Sequence, residues 1–244
     1  MENQYINTLI QHLMHTEIWS NLSDSKISAD RINDGITSNN KINDSKTNDN
    51  KINDSKICNN KISVNKSKHS STGTAEKFED YTSGMKALVN AFTACKKRQS
   101  QVFFIGNGGS SAIASHMTAD FMKNGGMKTY SLYDNSVTTC MGNDYGYEYI
   151  FSKPMEFLVR PGDLVVAISS SGNSKNIIYA LEVARKKGAE TITFTGFQED
   201  NQAKQMGNLN VYVPCRQYGI VESIHNLVLQ QIVDEIMERD GIKL

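Results

Sequence analysis

The sequence predicts an α/β fold: a doubly wound parallel sheet of five strands, with N-terminal helices and a disordered low-complexity insertion. Three observations predict it. Short β-branched runs alternate with helix-length segments in the C-terminal part, and each crossover of that kind lays a helix against a parallel sheet. Composition changes sharply near residue 75, from chain rich in Asn, Lys, Ser and Asp to regularly spaced apolar runs. Two of those runs end in loops dense in glycine and serine, where open α/β sheets bind their ligands. The chain therefore divides into a helix at 1–19, an insertion at 20–72 and an α/β domain at 73–244.

Each element has its own signal. Residues 4–19 (QYINTLIQHLMHTEIW) place Ile6, Ile10, Leu13 and Met14 on one face of an amphipathic helix. Five decapeptides follow: SNLSDSKISA, DRINDGITSN, NKINDSKTND, NKINDSKICN and NKISVNKSKH. Their third residue is always Ile or Leu, and Asp is fifth in the first four. One aliphatic residue per repeat buries too little surface to offset the entropy of ordering the chain, which points to a flexible insertion. A small β-solenoid is the alternative, and the lack of glycine turns argues against it. Further on, Phe78, Met85, Leu88, Val89 and Phe92 line a helix ending near Lys97. Strands are expected at Val102–Ile105, Thr129–Leu132, Leu164–Ile168, Thr191–Thr195 and Leu209–Val213. Helices are expected at 110–123, 147–159, 174–187, 199–206 and 217–238.

Bulk properties exclude several functions. Lysine and arginine total 26, as do aspartate and glutamate, so the basic excess expected of a nucleic-acid binder is missing. Cys58, Cys95, Cys140 and Cys215 form no C-x-x-C pair, which argues against a disulfide framework or a zinc ribbon. There is no leader-like N-terminus and no membrane-length apolar span, so the expectation is a cytoplasmic protein with no membrane partner.

Function is sought in the two loops. Gly106-Asn107-Gly108-Gly109-Ser110-Ser111 follows the strand VFFI, and Ser169-Ser170-Ser171-Gly172-Asn173-Ser174 follows LVVAI. Both couple a strand end to a helix N-terminus, where free backbone N–H groups and the helix dipole favour an anion. Turns and N-caps account for one or two hydroxyls; four serines in six residues exceed that need and point to a phosphate or sugar phosphate. There is no G-x-x-x-x-G-K-[ST], and Ser111 stands where a G-x-G-x-x-G motif would carry its third glycine. A dinucleotide-binding domain is thus the weaker alternative.

From about residue 75 the chain resembles the SIS (sugar isomerase) domain, and specifically the sedoheptulose 7-phosphate isomerase family. The resemblance rests on GNGGS at 106–110, GND at 142–144, ISSSGNS at 168–174, TFTG at 193–196 and the ESIH of the last helix, in that order and spacing. It implies a flavodoxin-like sheet, a homotetramer with active sites between subunits, and ketose-to-aldose isomerisation of a sugar 7-phosphate. By the same resemblance Ser110, Ser169, Ser170, Ser171 and Ser174 cradle the phosphate with Gly108 and Gly109, and Asn107 and Asp144 line the sugar.

Moving a proton between C1 and C2 needs a base near carbon and a group that stabilises the oxygens. His116 and Asp120, four apart, share one helix face; Glu222 and His225, three apart, share another, with Gln230 about two turns beyond Glu222. A helical His–Asp pair also serves as a simple hydrogen-bonded couple, and Glu or Gln on a terminal helix is usually solvated. The resemblance puts His116 on a histidine that ligates metal in zinc-containing members and Asp120 on a catalytic glutamate. It puts Glu222 on a glutamine, Gln230 on a second essential histidine, and Gly219 near a lost aspartate. The expectation is catalysis by Asp120 and Glu222, with zinc a possible cofactor on His116, Asp120, Glu222 and Gln230; His225 is a further possible ligand. The competing reading is a non-catalytic SIS module that binds a sugar phosphate or a protein, like relatives that regulate replication initiation.

Overall fold

In the computed structural model, which describes residues 2–20 and 76–242, the chain begins with α1 (Glu2–Met14), β1 (Glu17–Ser20), β2 (Glu76–Lys77) and α2 (Tyr81–Lys97). It continues through β3 (Gln101–Gly106), α3 (Gly109–Lys123), β4 (Lys128–Ser131) and α4 (Asn135–Tyr145). A 3-10 turn (Tyr147–Tyr149) leads to α5 (Ser152–Leu158), β5 (Leu164–Ser169), α6 (Lys175–Lys186) and β6 (Glu190–Gly196). The last elements are α7 (Gln202–Met206), β7 (Leu209–Val213) and α8 (Tyr218–Arg239). The decapeptide insertion expected at 20–72 lies outside the described residues, apart from Ser20.

The five expected strands are all present and parallel, in the order β4-β3-β5-β6-β7. This is a doubly wound, flavodoxin-like arrangement. Alternation along β3 explains the two faces. Val102 and Phe104 join a core under α2, α3 and α8, while Phe103 and Ile105 join one under α5 and α6. Phe92, Phe104 and Phe121 stack on one another, with centroids 4.5–6.4 Å apart, and lock α2 and α3 to the sheet.

Three expectations need correction. The helix at 4–19 ends at Met14, and Glu17–Ser20 form an edge strand antiparallel to β7, extended in turn by β2 to give seven strands. The reason is alternation over four residues: Ile18 and Ser20 are buried, Glu17 and Trp19 less so. The helix at 147–159 is instead the 3-10 turn and α5, preceded by α4, which was not expected. Asp134 caps α4 by accepting from Val137 N at 2.9 Å, and Gly146, at φ +102°, ends it. No α4 side chain is buried, so it carried no apolar period to read. The helix at 199–206 starts later, at Gln202, because Asn201 takes the N-cap and accepts from Lys204 N at 2.9 Å. No described helix is long and apolar enough to cross a membrane.

Candidate functional site

The sheet reverses its winding between β3 and β5, so the loops after these two strands flank the crevice where such sheets bind ligands. They are the two glycine- and serine-rich loops. A pair of amides straps them together: Asn107 Nδ2 donates to Asn176 Oδ1 and Asn176 Nδ2 to Asn107 Oδ1, both at 2.9 Å. Tyr147 adds a hydroxyl bond to Asn107 Oδ1 at 3.1 Å, and Tyr133 donates to Gly106 O at 2.9 Å. Asn107 is therefore held at both ends of its amide. Asn176 and Tyr147 carried no sequence signal; one sits inside a helix start, the other in an unexpected 3-10 turn.

The serine loop divides its hydroxyls. Ser169 is buried, and its Oγ accepts from Gly172 N at 3.2 Å. Ser170 is buried too, its Oγ without a partner among the described residues. Ser171 and Ser174 are half-buried. Ser171 Oγ accepts a long bond from Asn173 N at 3.4 Å, and Ser174 stands at the N-cap of α6 without using its hydroxyl to cap. Gly172 is at φ +65°, and any Cβ there would strike Asn201. The start of α7 braces this turn: Ala203 N donates to Gly172 O at 2.9 Å and Gln202 N to Asn173 Oδ1 at 3.0 Å. The result is a braced loop that carries two half-buried hydroxyls, Ser171 and Ser174, at a helix N-terminus.

In the first loop Gly108 adopts φ +56°, Ser110 is buried, and α3 starts at Gly109. A Cβ on Gly109 would meet the carboxylate of Glu222, which reaches over from α8. Burial raises the pKa of Glu222 above the ordinary carboxylate value, so a proton is held more readily there. Further along the same two helices, Gln230 Nε2 donates to Asp120 Oδ2 at 2.7 Å and lies 3.0 Å from His116 Nε2. His116 Nε2 is 3.3 Å from Asp120 Oδ2. The two meetings, Glu222 with Gly109 and Gln230 with His116 and Asp120, show that α3 and α8 run side by side in one direction. A little over two turns separate Glu222 from Gln230, roughly 12 Å of rise.

The expected residues thus fall into three places. The loops gather Asn107, Gly108, Gly109, Ser110, Ser169, Ser170, Ser171 and Ser174, with Glu222 over the first loop. His116, Asp120 and Gln230 form a separate cluster. Asp144 is exposed on α4, bonded to Asn143 Nδ2 at 2.8 Å and 3.6 Å from Cys140 Sγ. His225 belongs to none of them. It is buried, shares an Nε2 hydrogen bond with Thr195 O at 3.1 Å, packs edge-on to Phe194, and has its pKa lowered by burial to about 4. It is a neutral core histidine, and the expectation of a further ligand there is corrected.

Zinc was a possible cofactor on His116, Asp120, Glu222 and Gln230, and these residues do not gather to hold it. Among the described residues no three His, Cys, Asp or Glu side chains gather to hold a metal. The two best donor atoms, His116 Nε2 and Asp120 Oδ2, both face the amide nitrogen of Gln230. An N–H donor stands where a cation would have to bind.

With this geometry in hand, known proteins add a second line of information. A family model for the SIS domain matches residues 68–196. A phosphoheptose isomerase of Akkermansia muciniphila is 33% identical over 177 residues, covering 69% of this chain and 93% of that protein. One of Nitratidesulfovibrio vulgaris is 38% identical over 167 residues, covering 65% and 79%. Among solved structures, the phosphoheptose isomerase of Neisseria gonorrhoeae superposes with a TM-score of 0.59 at 31% identity, covering 62% of this chain and 84% of that one.

Proposed function

Because the chain belongs to the SIS domain family, we propose that it is a sugar-phosphate isomerase, and that it interconverts sedoheptulose 7-phosphate and the corresponding aldose. The observation that carries this reading is the serine loop at the switch point, with Ser171 and Ser174 free of capping duty beside the start of α6. The phosphate sits on this loop and takes hydroxyl and amide donors. The open-chain sugar then extends along the crevice past Asn107 and the first loop.

Glu222 is the group best placed to move the proton between C1 and C2. It is half-buried at the crevice, and its raised pKa brings it closer to the working pH, as proton transfer to and from carbon requires. Asp120 is the second carboxylate, held by Gln230 on the neighbouring cluster. A site between subunits fits this division, because a second copy can bring further groups to the crevice. The exposed helix α4, with no buried side chain, is the face we assign to that contact in a homotetramer, and it carries Asp144 with it.

Solvent exchange tests the chemistry. Sedoheptulose 7-phosphate incubated with the protein in deuterated water should gain deuterium at C1 or C2, and Glu222→Gln should slow this at least ~100-fold with little change in ligand affinity. A second reading, a sugar-phosphate-binding module without turnover, is favoured by one observation: the amide of Gln230 occupies both His116 and Asp120. Absence of exchange in the wild type, on any heptose or hexose phosphate, would establish that second reading in place of the first.

A further inference from the structure

Three polar side chains, His116, Asp120 and Gln230, meet between α3 and α8. Asp120 supplies an ionised oxygen, which can only accept. That fixes the orientation of Gln230: its nitrogen end turns inward, since its oxygen would face a carboxylate at 2.7 Å. An amide nitrogen carries two hydrogens. One goes to Asp120, and the other has His116 Nε2 within reach, 3.0 Å away. A ring nitrogen that receives an N–H must present its lone pair. His116 then carries its proton on Nδ1, on a side chain that is 56% exposed.

We infer that Gln230 does in this chain what a cation would do: its amide nitrogen joins His116 to Asp120 as a metal-free cluster, with neutral His116 protonated on Nδ1. Both atoms that a cation would use are engaged by N–H groups. Turning the amide round would offer one neutral oxygen and would give up both hydrogen bonds. Gln230 is therefore a positioning residue that fixes the tautomer of His116, and His116 presents its Nδ1–H outward as a hydrogen-bond donor. Only this last consequence, a donor aimed at a sugar oxygen, rests on the isomerase reading. The cluster itself does not.

Two measurements that need no turnover decide the matter. Two-bond proton–nitrogen correlation spectra of the imidazoles, taken at mildly alkaline pH, should show His116 in the Nδ1–H form in the wild type. Gln230→Leu should release it to the mixture usual for an exposed histidine. Zinc titrations by calorimetry should give the same affinity for wild type and His116→Ala, whereas Gln230→His, by supplying a third strong ligand, should bind zinc at least about tenfold more tightly than wild type. An Nε2–H form of wild-type His116 overturns the proposal, as does a tenfold loss of zinc affinity in His116→Ala. An inactive wild type that still shows the Nδ1–H form and indifference to zinc would refute the isomerase reading and leave the cluster standing.

Discussion

Gly109 and Glu222 show how one missing side chain makes room for a carboxylate. Gly109 opens α3, where the exposed N–H groups favour a negative charge, and Glu222 brings its carboxylate to that place. Burial raises the pKa of Glu222 at that place. Gly109→Ala separates structure from function here. The added methyl meets only the far end of a flexible side chain, and alanine suits a helix better than glycine by up to about 1 kcal/mol. The variant should melt no lower than the wild type. Glu222 must move aside by about an ångström, which should cost on the order of 100-fold in isomerase turnover. A variant that melts normally and turns over at the wild-type rate would show that Glu222 does not work from this position.

At the scale of elements, the serine loop is held by parts of the chain that gave no sign of it in sequence. The five parallel strands were legible because buried strands demand β-branched and aromatic runs, and the two loops because glycines and serines mark the turn from a strand into a helix. Helix α4 was not legible, since a helix without a buried face has no apolar period. Strand β1 was not, because four alternating residues read equally well as the last turn of the helix before them. The braces Asn176 and Asn201 were invisible for another reason: a polar residue acquires such a partner only when the sheet brings distant loops together. The loop's division of labour predicts a graded response. Ser169 and Ser170 are buried and Ser171 and Ser174 only half-buried, so on the proposed function Ser171→Ala with Ser174→Ala should weaken sugar-phosphate binding by about 1.5–3 kcal/mol for each hydroxyl lost. Calorimetry should find the fold intact and the affinity greatly reduced. Unchanged affinity would move the phosphate to another loop.

At the scale of the whole molecule, the open question is how a catalytic domain carries a long insertion near its N-terminus. The answer lies in β1 and β2. Ser20 pairs with Glu76 and Trp19 with Lys77, so the chain leaves and re-enters the sheet through adjacent antiparallel strands. Lys77 Nζ also reaches Glu17 Oε1, and Lys204 Nζ lies 4.2 Å from the ring centroids of both Trp19 and Tyr212, which fastens β1 to the edge of the sheet. Ser20 and Glu76 are thus neighbours at the end of an antiparallel pair, an arrangement that a short turn can close. Replacing residues 21–75 by Asn-Gly, a turn suited to two adjacent strands, tests this. Each halving of the joining segment saves about 0.6 kcal/mol of closure entropy, and nearly five halvings lead from residues 21–75 to a two-residue turn. The shortened protein should therefore be more stable by about 3 kcal/mol, which for a domain of this size raises the melting temperature by roughly 6–12 °C. The number of subunits given by its mass in light scattering, and its isomerase activity, should match those of the full chain. A lower melting temperature, or a smaller assembly, would mean that the decapeptides contribute packing that their composition does not suggest.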